Sequence, residues 1–181
     1  MFKRIENEHV KPSVQQCVFG AFYAEDGKPY KNYEHVAEDK RDTIIPMVLM
    51  QLRWDCQFGF PGGKVDEGET LREALVREMD EEINYDISRF ENIHPICSHT
   101  DVDESIGIHC YGIPVSYREL TRIRLCSQAA EHIDSENQGS VLVPMIDYGQ
   151  RGGYRTFRNN VFKSTAGIEL DCLVVEKSWK V

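Results

Sequence analysis

The chain is short of several features that would each have assigned it to a protein class. Its six cysteines, Cys17, Cys56, Cys97, Cys110, Cys126 and Cys172, contain no C-x-x-C pair, so zinc-knuckle and thioredoxin-like readings fail. Most of them sit inside apolar runs, the setting of buried reduced thiols in an intracellular protein rather than of disulfides. The opening residues, MFKRIENEHVKP, hold no apolar segment of the kind a secretory signal needs, so none is expected. No apolar run approaches the ~20 residues of a membrane span, and no repeat or low-complexity tail is visible. Positive charge is scarce: 21 Lys and Arg against 30 Asp and Glu leave a net charge of −9. That argues against a protein that coats nucleic acid through a generally basic surface, while leaving room for a local basic groove. The expected setting is intracellular, in the cytoplasm with the nucleus left open, and away from membranes.

What is present fits one domain over residues 1–181, long enough for a sizeable core. Ser13–Ala24 reads as a strand and Glu25–Asp42, charged and carrying Gly27 and Pro29, as a long loop. Thr43–Arg53 is an apolar run of strand length interrupted by Pro46, and Trp54–Phe60 a turn with a short return strand. Ile93–Thr100 and Ile106–Val115 read as strands joined by the acidic turn Asp101–Glu104. Tyr117–His132 reads as a helix, with Ser116 and Glu119 offering a capping box. Val141–Ile146 is a short strand, Arg151–Gly153 a turn, and Ile168–Lys177 a terminal helix. This order is α/β in character, a mixed sheet with helices on both faces.

The informative stretch is Gly59–Tyr85, a glycine-rich loop that runs into a helix ending in carboxylates. Thr70 and Glu73 have capping-box spacing, which starts the helix near Leu71. At 100° per residue, Leu71, Ala74, Leu75, Met79 and Ile83 share one apolar arc. Glu78 and Glu82 point roughly 20° either side of Leu71, inside that arc. A solvated acidic face would lie opposite, with Glu73 and Asp80. Glu78, Asp80, Glu81 and Glu82 also crowd the negative end of the helix dipole, where each costs ~0.3–1 kcal/mol. Arg77 can reach Glu81 at i+4, and the remaining charge asks for a hard divalent cation. The plainer reading is a surface helix with poor charge placement.

The full spacing separates the two. Gly63, five residues, Glu69, seven residues, then Arg77-Glu78-Met79-Asp80-Glu81-Glu82-Ile83-Asn84-Tyr85 resembles the Nudix box, G-x5-E-x7-R-E-U-x-E-E-x-G-U. Asn84 stands where that family has glycine, a mild departure because Asn tolerates a left-handed backbone next best. The resemblance implies a Nudix α/β/α sandwich, its mixed sheet held between helices. The segments VLMQLRWDCQFGFPGG, SHTDVDESIGIHCYGIPVSYREL and TFRNNVFKSTAGIEL are further similar to the small-nucleolar-RNA-decapping branch, which also removes inosine di- and triphosphates and is commonly homodimeric.

Carried over position by position, the resemblance implies Glu78 and Glu82 as metal ligands, with Glu81 a further ligand or a general base. It implies a Gly62 carbonyl and His99 as metal contacts, and Arg53 and Phe60 as substrate contacts. Gly63, Glu69 and Arg77 support the box. Phe19 replaces a histidine that contacts the nucleotide, and Glu169 a glutamine that contacts the base, so the base preference is open. The plainer alternatives are a strand-end histidine for His99, core for Phe60 and a surface ion pair for Arg53. The basic run Arg151, Arg155, Arg158 and Lys163 is either a solvated face or a track for RNA phosphates. The expected activity is Mg²⁺- or Mn²⁺-dependent cleavage of a nucleoside diphosphate derivative, with an RNA cap the leading substrate. The alternatives are housecleaning of free nucleotides (IDP, ITP, ADP-ribose or dinucleotides) and a catalytically silent RNA-binding module.

Overall fold

The computed structural model describes residues 2–5, 14–28, 38, 41–101, 103–147 and 152–180. The strands are β1 (Phe2–Ile5), β2 (Gln15–Ala24), β3 (Met47–Arg53), β4 (Phe58–Gly59), β5 (Gly62–Lys64), β6 (His94–Asp101), β7 (Ile106–Pro114) and β8 (Asn137–Pro144). The helices are α1 (Leu71–Ile83), α2 (Tyr117–Cys126), α3 (Tyr154–Phe157) and α4 (Ala166–Glu176). The sheet runs β1-β6-β7-β2-β3-β4, with β5 also on β2 and β8 on β3. β2 and β7 pair in parallel from Gln15↔Ile106 to Tyr23↔Pro114, while the other strand pairs are antiparallel. The sheet is therefore mixed, as expected.

Two apolar clusters fill its two faces. Ala74, Leu75, Met79 and Ile83 of α1 and Leu120 and Ile123 of α2 pack on Val18, Phe22 and Leu49. Leu170, Leu173 and Val174 of α4 pack on Ala21, Met50, Cys97 and Cys110. Burying side chains of this size stabilises by ~1.5–3 kcal/mol each, which is what holds helices of 10–13 residues that would be marginal alone.

α1 begins and ends where its sequence demands. The Thr70 hydroxyl accepts from the Glu73 N–H while the Glu73 carboxylate accepts from the Thr70 N–H, a complete capping box. Asn84 takes the left-handed conformation at φ 52° and ψ 49° and returns its N–H to the Asp80 and Met79 carbonyls. α2 is shorter than Tyr117–His132: it stops at Cys126 and gives way to one 3₁₀ turn over Ser127–Ala129. Ser116 accepts from the Glu119 N–H, but the Glu119 carboxylate receives Tyr85 and Arg122. Three short elements, β1, β5 and α3, carry too little periodicity to stand out in the sequence. Of the Glu25–Asp42 loop, 29–37 and 39–40 lie outside the described residues, as does Arg151 of the expected Arg151–Gly153 turn.

The sheet splits beside β2. The edge of β2 away from β7 is shared: Tyr23 and Ala24 pair with β3, whereas Cys17, Val18 and Phe19 pair with β5. The Gly20 N–H donates to the Pro61 carbonyl between them at 2.9 Å. β3 and β5 thus diverge, and α1 lies across the divergence, with Met79 against Gly20.

Candidate functional site

The last turns of α1 bring Glu78, Glu81 and Glu82 over this split. Glu82 is 1% exposed and Glu78 7%, so both belong to the apolar arc. The Gly62 N–H donates to Glu82 Oε2 at 2.9 Å. Glu78 lies flat on Gly63, where an added Cβ would stand 2.6 Å from Oε1. Position 63 needs no left-handed backbone; it needs the absence of a side chain. From β3, the Gln51 side chain donates to the Glu82 carbonyl at 3.2 Å. The His132 N–H caps the Glu81 carbonyl at 3.2 Å, so two neighbouring segments take up carbonyls at the open end of α1.

Arg77 organises the acidic cluster. Its Nε donates to Glu69 at 2.9 Å, one terminal nitrogen to Glu78 at 2.9 Å and Glu81 at 3.0 Å, and the other to the Lys64 carbonyl at 2.8 Å. Glu69 in turn accepts from the Asp66 N–H at 3.0 Å. Arg77 and Glu69 therefore tie the loop to the helix, the supporting role expected of them. Among the described residues no cation is bonded to Glu82, and Arg53 reaches it only through its charge. Burial pushes its carboxyl up to about 8, with the charges of Glu78 and Glu136 adding and the Gly62 N–H and Arg53 opposing. Burial also raises Glu78, against the pull of Arg77. A pair of buried carboxylates, one with no directly bonded counter-charge among the described residues, is the donor set a hard divalent cation fits.

Glu136 is a carboxylate that spacing along the chain does not single out. It lies beyond the α2 turn, beside His132 at 3.6 Å, and its charge reaches both Glu78 and Glu82. Nothing in its local spelling marks it; only the return of the chain past the end of α1 places it there. Gln51, inside an apolar strand, escapes a reading of the sequence for the same reason.

The remaining expected residues fall into two groups. Arg53 ends β3 within electrostatic reach of Glu82. Its buried Nε has no hydrogen bond among the described residues, and Asp55 stands 3.9 Å away. Phe19, Phe60, His99 and Glu169 gather on the α4 side. Phe60 is buried in the α4 cluster and Phe19 packs against it. Glu169 is 2% exposed, accepts from the Thr165 hydroxyl at 2.8 Å, and is raised by burial to about 7. His99 Nδ1 is 4.0 Å from Glu169 Oε1, so the structure brings these two together. The basic run is engaged elsewhere: Arg155 pairs with Asp147 at 3.0 Å, Arg158 with Asp171 at 2.8 Å and Lys163 with Asp55 at 3.2 Å. Its described members thus form a set of surface ion pairs, worth little each.

The family model Nudt16-like, described as U8 snoRNA-decapping enzyme-like, matches residues 31–175. A U8 snoRNA-decapping enzyme from Homalodisca vitripennis is 37% identical over 112 residues, which span 61% of this chain and 59% of that protein. A Tudor-interacting repair regulator protein from Gallus gallus is 32% identical over 126 residues, 68% of this chain and 40% of its own length. In three dimensions the chain is similar to the Nudix domain of Shewanella oneidensis NrtR, solved in complex with ADP-ribose, at a TM-score of 0.57 and 14% identity, covering 96% of this chain and 94% of that one. At that identity the likeness bears on the fold alone.

Proposed function

The chain belongs to the Nudt16-like family of Nudix hydrolases, and from that premise we propose that it cleaves the diphosphate linkage of a nucleoside diphosphate derivative, with an RNA 5′ cap the leading substrate. The observation that carries the proposal is the buried Glu78–Glu82 pair over the β3–β5 split. A module that only binds has no need to keep carboxylates in an apolar arc at the wrong end of a helix dipole.

In this reading Glu78, Glu82 and the neighbouring Glu81 would hold Mg²⁺ or Mn²⁺, together with the Gly62 carbonyl. When bound, such ions neutralise diphosphate charge and acidify a water. The protein supplies position. Arg77 keeps Glu78 and Glu81 on one side of the cluster, and the Gly62 N–H aims Glu82. Arg53 stands at the β3 rim, where a cation meets a substrate phosphate. Glu81 is more exposed than its two neighbours, and from there it can take the proton of an attacking water. Water adds to one phosphorus, the bond from that phosphorus to the bridging oxygen breaks, and the other phosphate leaves. Charge neutralisation and alignment account for most of the rate.

The test is a panel: purified protein with Mg²⁺ or Mn²⁺, capped RNAs beside IDP, ITP, GDP, ADP-ribose and dinucleotides. Cap cleavage with the higher kcat/KM is expected. Preference for the free nucleotides would move the function to housecleaning, and no turnover on any would favour binding alone. That last reading draws on the relative named as a Tudor-interacting repair regulator, of comparable identity to this chain.

Two further results are expected. With Phe19 and Glu169 in place of histidine and glutamine, IDP should lose its advantage over GDP. A Glu169 carboxylate can accept from the N1–H and amino group of guanine, and inosine lacks the amino group. A strong IDP preference in kcat/KM would overturn this. Gly63→Ala should lower kcat by ~10²-fold with little change in melting temperature. The new methyl displaces the Glu78 carboxylate, the end of a flexible side chain, from its place 2.6 Å away, and misplacement on that scale is costly to catalysis.

A further inference from the structure

A second group of ligating side chains lies across the sheet from α1. Cys97 and His99 alternate along β6 and so face the same way, toward α4. Cys172 comes from α4 itself. One ligand atom from each, two sulfurs and an imidazole nitrogen, lie within 4.8 Å of one another. The imidazole is 1% exposed, yet neither of its ring nitrogens makes a hydrogen bond among the described residues. Buried polar groups in native proteins are almost always satisfied, and His109 on the adjoining strand shows the norm: its Nδ1 meets Ser98 Oγ at 2.8 Å and its Nε2 meets Gln16 Oε1 at 2.6 Å. His99 therefore sits unsatisfied beside two thiols and a carboxylate.

We propose that Cys97, His99 and Cys172 form a site for a soft or borderline divalent cation of the zinc class, distinct from the carboxylate site on α1. Two sulfurs and an imidazole are the donors such ions select, whereas Mg²⁺ and Mn²⁺ select oxygen. Three protein ligands leave a fourth position. Glu169, 4.0 Å from His99 Nδ1, stands outside the cluster and can accept an imidazole N–H, as carboxylates behind metal-bound histidines commonly do. On binding, both thiols release protons to solvent and two metal–sulfur bonds form; no oxidant is needed. Burial, with Cys172 and Glu169 adding, holds the Cys97 thiol above its ordinary range, and burial then the Arg4 charge lower the imidazole toward its neutral form. The imidazole is thus ready to ligate, and the cation supplies the charge the thiols need. Cys172 is only half-buried, which gives the ion a way in. The bound ion would staple α4, and Glu169 on it, to β6.

Full-length protein, freed of metal by a chelator and kept reduced, is titrated with Co²⁺. One equivalent should give thiolate-to-cobalt charge-transfer absorption that Zn²⁺ abolishes. It should persist in Glu82→Gln, which affects only the carboxylate site, and vanish in Cys172→Ser. Absence of the band in folded wild-type protein, or its survival in Cys172→Ser, would overturn the proposal. Alkylation read by mass spectrometry checks the native thiols without any variant. Zn²⁺ should protect Cys97 and Cys172 while exposed Cys56 reacts regardless, and equal labelling of Cys172 with and without Zn²⁺ would also overturn it.

Discussion

Glu82→Gln should lower kcat on the preferred substrate by roughly 10²–10⁴-fold, the several kcal/mol that metal-assisted charge stabilisation supplies, without destabilising the metal-free fold. The amide keeps the size of the side chain, and its oxygen can still accept from the Gly62 N–H. What disappears is a charge the fold resists. The folded carboxyl sits at about 8 against an ordinary 4.5, so between those values the native state holds a proton that the unfolded state has lost. Native binding of more protons means stability falls as pH rises. In EDTA, therefore, wild-type protein should lose stability from about pH 5 to pH 9 while Glu82→Gln should not, and the gap should be widest above pH 8. At 1.36 kcal/mol per unit the ceiling on that gap is of order 5 kcal/mol. Glu73→Gln is the control. It lies on the exposed face, a glutamine can replace glutamate in a capping box, and turnover should hardly change. Near-wild-type kcat for Glu82→Gln would mean the acidic cluster is not catalytic, and would leave binding as the function.

Mn²⁺ or Mg²⁺ should raise the melting temperature strongly at pH 8.5 and weakly at pH 6. At 100 times its Kd a ligand adds roughly 2.7 kcal/mol, which for a domain of this size is about 5–11 °C. Below about 8 the cation must displace a proton from Glu82, so its affinity should fall by roughly tenfold per pH unit, about 100-fold by pH 6. Calorimetric titration in buffers of different ionisation enthalpy reads the released proton directly. An unchanged melting midpoint at pH 8.5 with saturating Mn²⁺, or binding insensitive to pH, would count against Glu78 and Glu82 as the ion's ligands.

The parts legible in the chain are those whose physics is local. The Thr70–Glu73 box, the left-handed turn at Asn84 and the arc that admits Glu78 and Glu82 depend on residues within a few turns of one another. Helical geometry converts spacing into direction there. Strand positions come from apolar runs, with ends off by a few residues where Pro46 delays β3 and where β8 extends back to Asn137. β1, β5 and α3 are three or four residues long, too short for a period to show.

The sequence by itself determined the family, the mixed α/β architecture, the course of α1 and which carboxylates turn inward, because each rests on spacing along one element. The tertiary structure alone decided what those carboxylates meet. It opened β3 from β5 beneath them, returned Glu136 and His132 to the end of α1, and gave the basic run its aspartates. It also set His99 among Cys97, Cys172 and Glu169. Such meetings depend on which strands pair and on which face each helix covers. Neither is written in local spacing, since residues far apart in the chain come together only when the whole sheet is closed by its two apolar clusters.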